Sequence, residues 1–317
     1  MQAEELELTL TATELEYSMR LATCNGLVCF YREYPVLMWN PVTKESIMLS
    51  KARIDEKVEF ANACGFGYDA ENNEYKAVQL LRRPSDSSLE CMVLNIGTNM
   101  SWRRIQQQDN FLHQNLKDVD DSPESIFFEG SIYWWTYDDI VCFDVTADTF
   151  KMVPAPAAVE KSTRPHHLQP RHDDSTTSHM VELDNSLCSV ELYICGGLMD
   201  IWMMKKDCVD MTNLWVKAYF IDLDPINFKR PPFHIRPFCV RGKKIYLNCR
   251  YGLACYDTET KEFEMVFTKE AHCYNYAVAY TKSTVCLKDI VGSKCVSTAH
   301  IGECEACRAL CHIAPRI

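Results

Sequence analysis

The 317-residue chain contains no run of about 18 apolar residues, the length that a membrane-spanning helix requires. Its first ten residues, MQAEELELTL, are acidic and lack the apolar core of a secretory signal peptide. Positive charge is also in deficit, because 33 Lys and Arg face 44 Asp and Glu, for a formal net charge of −11. Nucleic acid and anionic membranes attract basic surfaces, so neither is expected to be the main partner.

The familiar catalytic motifs are missing as well. There is no phosphate-binding Gly-rich loop with a Lys, no His-Glu-x-x-His and no Gly-x-Ser-x-Gly. The pair Gly65 and Gly67 lacks the third glycine and the following helix of a dinucleotide site. We therefore expect a protein without catalytic activity. The alternative is an enzyme whose catalytic groups are scattered over several loops.

Cysteine, in contrast, is abundant, with 17 residues. Four of them lie within short apolar runs that are typical of strands: Cys29, Cys142, Cys249 and Cys255. A reduced Cys in such a run behaves as a small buried apolar side chain. Together with the missing signal peptide, this pattern predicts a reducing compartment, the cytoplasm or the nucleus, and few or no disulfides.

A repeat organises the chain. Residues 24–50 read as three short apolar runs separated by turns, and the pattern recurs after Gly130 and after Gly242. Three sets of residues fall in register: Trp39, Phe143 and Tyr256 on one run, Asn40, Asp144 and Asp257 at the turn after it, and Met48, Met152 and Met265 on the last run. Such coincidences indicate a true repeat. The Asn or Asp side chain is expected to close its turn by accepting a backbone hydrogen bond.

About five such units follow one another, with a weaker copy at 60–107 and the least regular one at 179–224. Residues 155–178 are expected to form a long surface loop, and no helix of useful length is predicted. A single four-stranded sheet cannot bury both of its faces, whereas sheets packed radially bury each other's. We therefore predict an all-β fold, a β-propeller of about five to six four-stranded blades. An incomplete ring or an array of β-sandwiches are the alternatives.

The opening motif carries a resemblance. The stretch 25–29 (NGLVC), followed by 39–44 (WNPVTK), is similar to the start of the plant F-box-associated domain, and 130–144 fits the same family. The resemblance covers roughly 21–285. It implies a kelch-like β-propeller that serves as the substrate-recognition part of a Skp–cullin–F-box ubiquitin ligase. The expected domains are an acidic N-terminal segment at 1–20, the propeller at 21–287 and a Cys-rich tail at 288–317.

The resemblance has one departure, because there is no room for an F-box before Cys24. The chain is therefore expected to be a fragment, a mispredicted gene product or a relative without an F-box. The Skp adaptor and cullin are expected as partners only if an F-box is supplied upstream. The alternative is a decoy without an F-box, which binds substrate without recruiting the ligase.

The loops between the second and third strands of the blades are the candidate binding face. In propellers these loops lie on one face, and Tyr and Arg are favoured at binding hot spots. The expected substrate-binding residues are Arg32, Tyr34, Trp135, Tyr137, Asp138, Arg250 and Tyr251. The alternatives are turn residues without a role, a glycan-binding module or a propeller enzyme. Trp39, Phe143 and Tyr256 are expected to pack between blades rather than to bind.

Two groups of residues raise the question of metal. Cys304 and Cys307 have the spacing of a zinc knuckle, which Cys311 and His312 would complete, but the second half of a usual zinc motif is missing. We expect no cofactor, with zinc in the tail as the alternative. Four histidines lie in or beside the long loop and are expected to be solvated: His166, His167, His172 and His179.

Overall fold

In a computed structural model, the regular secondary structure of the described residues is β-strand apart from one five-residue helix, which confirms the predicted fold class. The structure describes residues 4–7, 20–31, 35–50, 52, 59–82, 89–97, 100–105, 124–136, 139–156, 176–193, 197–206, 214–223, 235–249, 252–268, 276–292, 297–298 and 310–315. Within these ranges no helix is long and apolar enough to cross a membrane.

Five antiparallel four-stranded blades follow one another along the chain, each with its strands in sequence order. The first strand is β1 (Glu4–Glu7). Blade 1 comprises β2 (Arg20–Cys24), β3 (Leu27–Tyr31), β4 (Pro35–Trp39) and β5 (Glu45–Met48). Blade 2 comprises β6 (Glu59–Asp69), β7 (Glu74–Arg82), β8 (Leu89–Ile96) and β9 (Trp102–Ile105). Blade 3 comprises β10 (Ser125–Phe128), β11 (Ser131–Trp135), β12 (Ile140–Asp144) and β13 (Thr149–Val153).

Blade 4 comprises β14 (Thr176–Leu183), β15 (Ser186–Tyr193), β16 (Leu198–Met204) and β17 (Trp215–Asp222). Blade 5 comprises β18 (Arg236–Arg241), β19 (Lys244–Cys249), β20 (Gly252–Asp257) and β21 (Phe263–Thr268). The blades are followed by β22 (Tyr276–Tyr280), α1 (Leu287–Val291), β23 (Ser297–Thr298) and β24 (Leu310–Pro315).

The chain divides into two compact units. One unit, 6–153 with 280–308 and 315–317, contains blades 1 to 3 and α1, and β23 adds to blade 1 as a fifth strand beside β5. The other, 1–5 with 154–279 and 309–314, contains blades 4 and 5. A further three-stranded sheet has the order β1-β24-β22. Within the first unit the leading strands β2, β6 and β10 contact one another, as do β14 and β18 in the second, so the first strand of each blade is the inner one.

The blades bury each other's faces, as the repeat predicts. In the first unit, Met38 and Tyr31 of blade 1 share a core with Phe66 of blade 2, and Val78 of blade 2 shares another with Phe143 of blade 3. In the second unit, blade 4 packs on blade 5 through a cluster that includes Val190, Ile201, Leu247 and Tyr256. The register aromatics are buried, at 1% exposure for Trp39, 0% for Phe143 and 4% for Tyr256. Phe143 and Tyr256 belong to the clusters between blades, which confirms the expected packing for these two.

The repeated turns have a common geometry. Asn40 Oδ1 accepts the backbone N–H of Val42 at 2.8 Å. The carboxylates of Asp144 and Asp257 close the equivalent turns in the same way, because each accepts the backbone N–H of the residue two positions later, at 2.9 Å. The residue four positions after each one has a positive φ: Lys44 at 59°, Asp148 at 54° and Lys261 at 63°. The predicted role of the Asn or Asp is therefore confirmed.

Gly65 and Gly67 lie in β6, where the packing against blade 3 leaves no room for a side chain. A Cβ on Gly65 would lie 2.6 Å from Trp134 Cζ2, and one on Gly67 would lie 2.7 Å from Phe127 Cδ2. The two glycines thus allow blades 2 and 3 to approach closely. Close packing is one of the two usual reasons for glycine within a strand, and a β-bulge is the other.

We expect Gly65→Ala to destabilise the protein by ~1–3 kcal/mol, because an overpacked core must shift its backbone or its side chains. The matched control is Gly97→Ala, since a Cβ on Gly97 would meet no atom within 4 Å. Urea unfolding of both variants checks this. Equal stability of the two variants would contradict the close approach of the sheets.

Three elements differ from the sequence-based expectation. Blade 4 begins with β14, so residues 176–178 are strand rather than surface loop. The sequence also favours a loop between second and third strands at 197–199, but Leu198 and Met199 lie in β16. The Ser and Thr residues that open β14 lack the apolar alternation by which strands are recognised. The helix α1 was not expected. The best helix candidate in the sequence, a marginal one, is 51–60. Of its described residues, Glu59 and Phe60 belong to β6, and Ala52 has no regular secondary structure.

His179 is buried within β14, with 8% of its surface exposed, so the expectation of a solvated histidine is wrong for this residue. The other three histidines of that group lie outside the described residues. Burial, and then the charge of Arg236, hold the pKa of His179 well below its ordinary value of 6.5. The imidazole is therefore neutral in the folded protein at neutral pH.

This burial predicts a loss of stability on mild acidification. Below pH 6.5 the unfolded chain binds a proton at His179 that the folded chain does not, so the free energy of unfolding falls as pH falls. The loss approaches about 1.4 kcal/mol per pH unit. Urea unfolding at pH 7.5 and 5.5 should show this loss in the wild type and a smaller one in His179→Gln. An identical pH dependence in both proteins would contradict it.

Candidate functional site

The candidate face is the end of each blade at which the second and third strands are joined. The joining loops are short: three residues separate β3 from β4, and two separate β19 from β20. Most of the predicted binding residues in these loops lie outside the described residues, and their roles stay predictions: Arg32, Tyr34, Tyr137, Asp138, Arg250 and Tyr251. The strand ends that flank the loops are described.

Trp135 is the one predicted residue that the structure places. It ends β11 opposite Ile140 and is partly exposed, whereas its neighbour Trp134 is fully buried. The Trp134 Nε1–H donates to the Cys64 carbonyl oxygen at 2.9 Å. Adjacent residues of a strand face opposite sides of the sheet, so one tryptophan anchors blade 3 on blade 2 while the other remains accessible at the strand end.

The turn beyond Trp135 is closed by hydrogen bonds between its first and last residues. The backbone N–H of Thr136 donates to the Asp139 carbonyl oxygen at 2.8 Å, and the Thr136 hydroxyl donates to the same oxygen at 2.7 Å. The Asp139 N–H in turn donates to Thr136 Oγ1 at 3.1 Å. These bonds hold the two described ends of the turn together.

Blade 1 reaches the same end of its unit. Tyr31, the last residue of β3, is 1% exposed, and its oxygen accepts the Ser125 N–H at 3.5 Å. Ser125 pairs with Trp134 across β10 and β11, next to Trp135. The structure therefore brings the start of the 32–34 loop and the 136–139 turn to one end of the unit. Burial, and then the negative charge of Glu124, raise the pKa of Tyr31 above its ordinary range.

Sequence reasoning missed two charged residues at this end, Arg20 and Glu124. Arg20 begins β2 and pairs with Tyr31, and Glu124 directly precedes Ser125. Both are partly exposed. Both lie at the start of inner strands rather than in the loops between second and third strands, so a search restricted to those loops passes over them.

The opposite end of blades 2 and 3 carries a buried ionic network. Lys76 Nζ lies 2.9 Å from Asp69 Oδ2 and 3.4 Å from Asp148 Oδ1, and it donates to the Val145 carbonyl oxygen at 2.5 Å. Lys76 is 3% exposed and Asp69 0%. Arg103 extends the network to Asp148 Oδ2. Every charge has a partner, so we interpret this network as a structural tie between the two blades.

The described thiols match the predicted reduced state. None of the ten cysteines with a described environment is in a disulfide, and nine of them are buried. Burial raises the pKa of Cys249 to about 12, which keeps that thiol protonated and unreactive at neutral pH. Cys286 is the partly exposed one.

The zinc alternative falls outside what the structure describes. Cys304 and Cys307 are not among the described residues, and only the backbones of Cys311 and His312 are, in β24. Among the residues whose side chains are described, no three His, Cys, Asp or Glu groups are arranged to hold a metal ion. The expected absence of a cofactor, with zinc in the tail as the alternative, stays a prediction.

Comparison with known protein families identifies a β-propeller family, in agreement with the blades of the structure. The sequence profile of the F-box associated beta propeller domain family matches residues 2–169. The F-box/kelch-repeat protein At3g23880 of Arabidopsis thaliana is 24% identical over 287 residues, which cover 87% of this chain and 71% of that protein. The putative F-box/kelch-repeat protein At1g13200 of the same plant is 25% identical, over 76% of this chain but only 61% of its own length.

The profile match covers more than half of the chain, so the class is that of an F-box-associated β-propeller. This chain belongs to the F-box associated beta propeller domain family, which confirms the resemblance of its opening motif. Among solved structures, a chain of the mitotic checkpoint complex aligns with 86% of this chain at a TM-score of 0.41 and 10% identity, too distant to support any inference.

Proposed function

We propose that this protein binds other proteins and serves as the substrate-recognition part of a Skp–cullin–F-box ubiquitin ligase. The family match over 2–169 carries the proposal, and the names of the Arabidopsis relatives place F-box proteins in the same family. The chain spans 61% of the length of At1g13200. The adaptor and cullin are therefore partners only where an F-box accompanies the propeller.

The proposed mechanism is positioning. A rigid blade frame holds the loop ends, and the loops hold a target close to a ligase that carries out the chemistry. Tethering turns the encounter of target and ligase into an intramolecular event, which raises the effective concentration of the target without any catalytic group on the propeller. The protein itself is proposed to be non-catalytic, to need no cofactor and to act in the cytoplasm or the nucleus.

Affinity purification of the full chain from plant extract tests this proposal. Recovery of ligase-core subunits with further proteins supports the adaptor, and recovery of a target alone supports a decoy that does not deliver it. A preparation that binds no protein but turns over a small molecule or retains a glycan would contradict the proposal.

Trp135→Ala should weaken target binding by ~2 kcal/mol or more, the scale of an interface hot spot, because it removes an accessible aromatic from the candidate face. Its free energy of unfolding should change by only about 0.5 kcal/mol, as for other surface substitutions. Target recovery and thermal unfolding are the two measurements. Trp134→Ala is the contrasting control, since it should lower stability by ~3–5 kcal/mol.

Trp135 has no role at the interface if target recovery is unchanged in Trp135→Ala. If both readouts fall together, its contribution is to folding rather than to binding.

Metal analysis of the full chain, beside the Cys304→Ser/Cys307→Ser variant, tests the expected absence of a cofactor. We expect no zinc in either protein. About one zinc per chain that disappears in the variant would show that the tail is a metal site.

A further inference from the structure

The segment that follows β22 lies along one end of blade 1. Residues 281–286 have no regular secondary structure and lead into the five-residue helix α1. Leu287 and Val291 of α1 are 0% and 5% exposed, and they belong to the same apolar cluster as Met38 and Ile47 of blade 1. We call residues 281–291 the return segment.

Asn40 contacts the return segment through its amide nitrogen, which takes no part in closing the β4–β5 turn. Its Nδ2 donates to the carbonyl oxygens of Ser283 at 3.1 Å and Val285 at 2.7 Å. Its Oδ1 meanwhile accepts the Val42 and Thr43 N–H groups that close the β4–β5 turn. The side chain is 0% exposed.

Comparison with the equivalent turns of blades 3 and 5 shows that the turn itself does not require the amide nitrogen of Asn40. Asp144 and Asp257 occupy the same turn position in blades 3 and 5, and one carboxylate oxygen of each accepts the same two backbone N–H groups. A carboxylate is therefore sufficient for the turn. Only an amide can also donate to carbonyl oxygens, so the Asn at position 40 fits the return segment rather than the turn.

The repeated glycines differ in the same way. Gly26, Gly130 and Gly242 all have positive φ, of 75°, 78° and 57°. A Cβ on Gly26 would lie 2.1 Å from the Thr281 carbonyl oxygen and 2.5 Å from Ser283 Cβ, whereas a Cβ on Gly130 or Gly242 would meet nothing within 4 Å. The conformation explains glycine at all three positions, but only at Gly26 does the return segment also exclude a side chain.

Glu45 holds the helical end of the segment. Its Oε2 accepts the Leu287 N–H at 2.7 Å, and its Oε1 lies 3.0 Å from Lys288 Nζ. Burial alone would raise the pKa of Glu45, but the hydrogen bonds from Lys288 and Leu287 bring that pKa below its ordinary value. The carboxylate is thus charged at neutral pH and attracts both groups.

We propose that Asn40 and Glu45 are the anchors of a detachable return segment, which releases from blade 1 as a unit while strands β2 to β5 stay paired. The anchors are side chains of one short hairpin and its outer strand. The blade, in contrast, is held by its own backbone ladder from β2 to β5. Loss of these hydrogen bonds, together with withdrawal of Leu287 and Val291 from the apolar cluster, would free the segment without breaking a strand pair from β2 to β5.

Hydrogen exchange of the full wild-type chain, read by mass spectrometry, is the first test. Amides of 283–292 should exchange at least about 10-fold faster than those of β3 and β4, the ratio that separates local opening from opening of the blade. Asn40→Asp should speed the exchange of 283–292 by about 10-fold or more, because it replaces two donated hydrogen bonds by repulsion between oxygens. The exchange of β3 should change much less.

Two matched controls separate the segment from the turn and from backbone strain. Asp144→Asn is the reverse substitution, at a turn that the return segment does not contact. It should leave the hydrogen exchange of 283–292 unchanged. Gly26→Ala and Gly130→Ala impose the same positive-φ strain, but only Gly26→Ala should free the segment. Trypsin cleavage after Lys282 and Lys288 gives an independent readout of release.

The proposal is overturned if 283–292 and β3 exchange at one common rate in the wild type, since the segment would then be an integral part of the blade. It is also overturned if Gly26→Ala and Gly130→Ala affect the segment equally. The wild-type measurement keeps the proposal testable even if Asn40→Asp does not fold.

Discussion

Lys76→Met is expected to lower the free energy of unfolding by ~3–5 kcal/mol, because it removes one partner from a buried ion pair. Asp69 is 0% exposed, and in the variant its carboxylate would be left without the ammonium group that lies 2.9 Å away. The substitution also removes the donor to the Val145 carbonyl oxygen, which joins blade 2 to blade 3. Urea unfolding compared with the wild type measures the effect.

The double variant Asp69→Asn/Lys76→Met is the control that separates charge from packing. The amide introduced by Asp69→Asn would keep an oxygen to accept the Glu71 and Asn72 N–H groups, so the turn stays closed while the buried charge is gone. The double variant should therefore be more stable than Lys76→Met alone. If it is less stable, the unpaired charge is not the cause of the loss.

The same network predicts the acid response. Burial alone would raise the pKa of Asp69, but the hydrogen bonds from Asn72 and Lys76 outweigh it and hold the pKa below the ordinary value of 3.8. A depressed carboxyl pKa stabilises the fold above the unfolded pKa, and this stabilisation is lost as pH falls below about 4. The wild type should lose stability between pH 4 and 2.5 more steeply than the double variant.

Trp39→Ala is expected to destabilise the protein by ~3–5 kcal/mol, as large truncations of buried aromatics do. Trp39 is 1% exposed in β4 and its ring centroid lies 6.4 Å from that of Phe30. No described acceptor lies within hydrogen-bond distance of its Nε1, so its contribution is mainly apolar packing. Thermal and urea unfolding measure the loss.

Two variants define what the Trp39 result means. Trp39→Phe keeps most of the ring and gives up an unpartnered N–H, so it should cost no more than about 1.5 kcal/mol. Met48→Ala, on the outer strand of the same blade at 52% exposure, should be close to neutral. A melting shift near zero for Trp39→Ala would refute the packing role of the register aromatics.

Most strands could be predicted from the sequence because their signals are local. In the weaker repeat copy at 60–107, the sequence favours strands at 89–96 and 102–105, and these coincide with β8 and β9. The polar inner strand β14 and the five-residue helix α1 carry no comparable signal. The binding face could be assigned only to a class of loops, and Trp135 is the one member of it that the structure describes.

The sequence by itself determined the repeat with its glycines, the turn chemistry of Asn40, Asp144 and Asp257, and the family. Each of these is encoded within a few neighbouring residues, where backbone sterics and short hydrogen bonds decide the outcome. Only the tertiary structure decided that Lys76 joins blades 2 and 3, that Trp134 reaches the Cys64 carbonyl, and that the return segment passes over Gly26. Those contacts join residues about 70 to 250 positions apart, and no local pattern specifies which distant backbone will supply the partner.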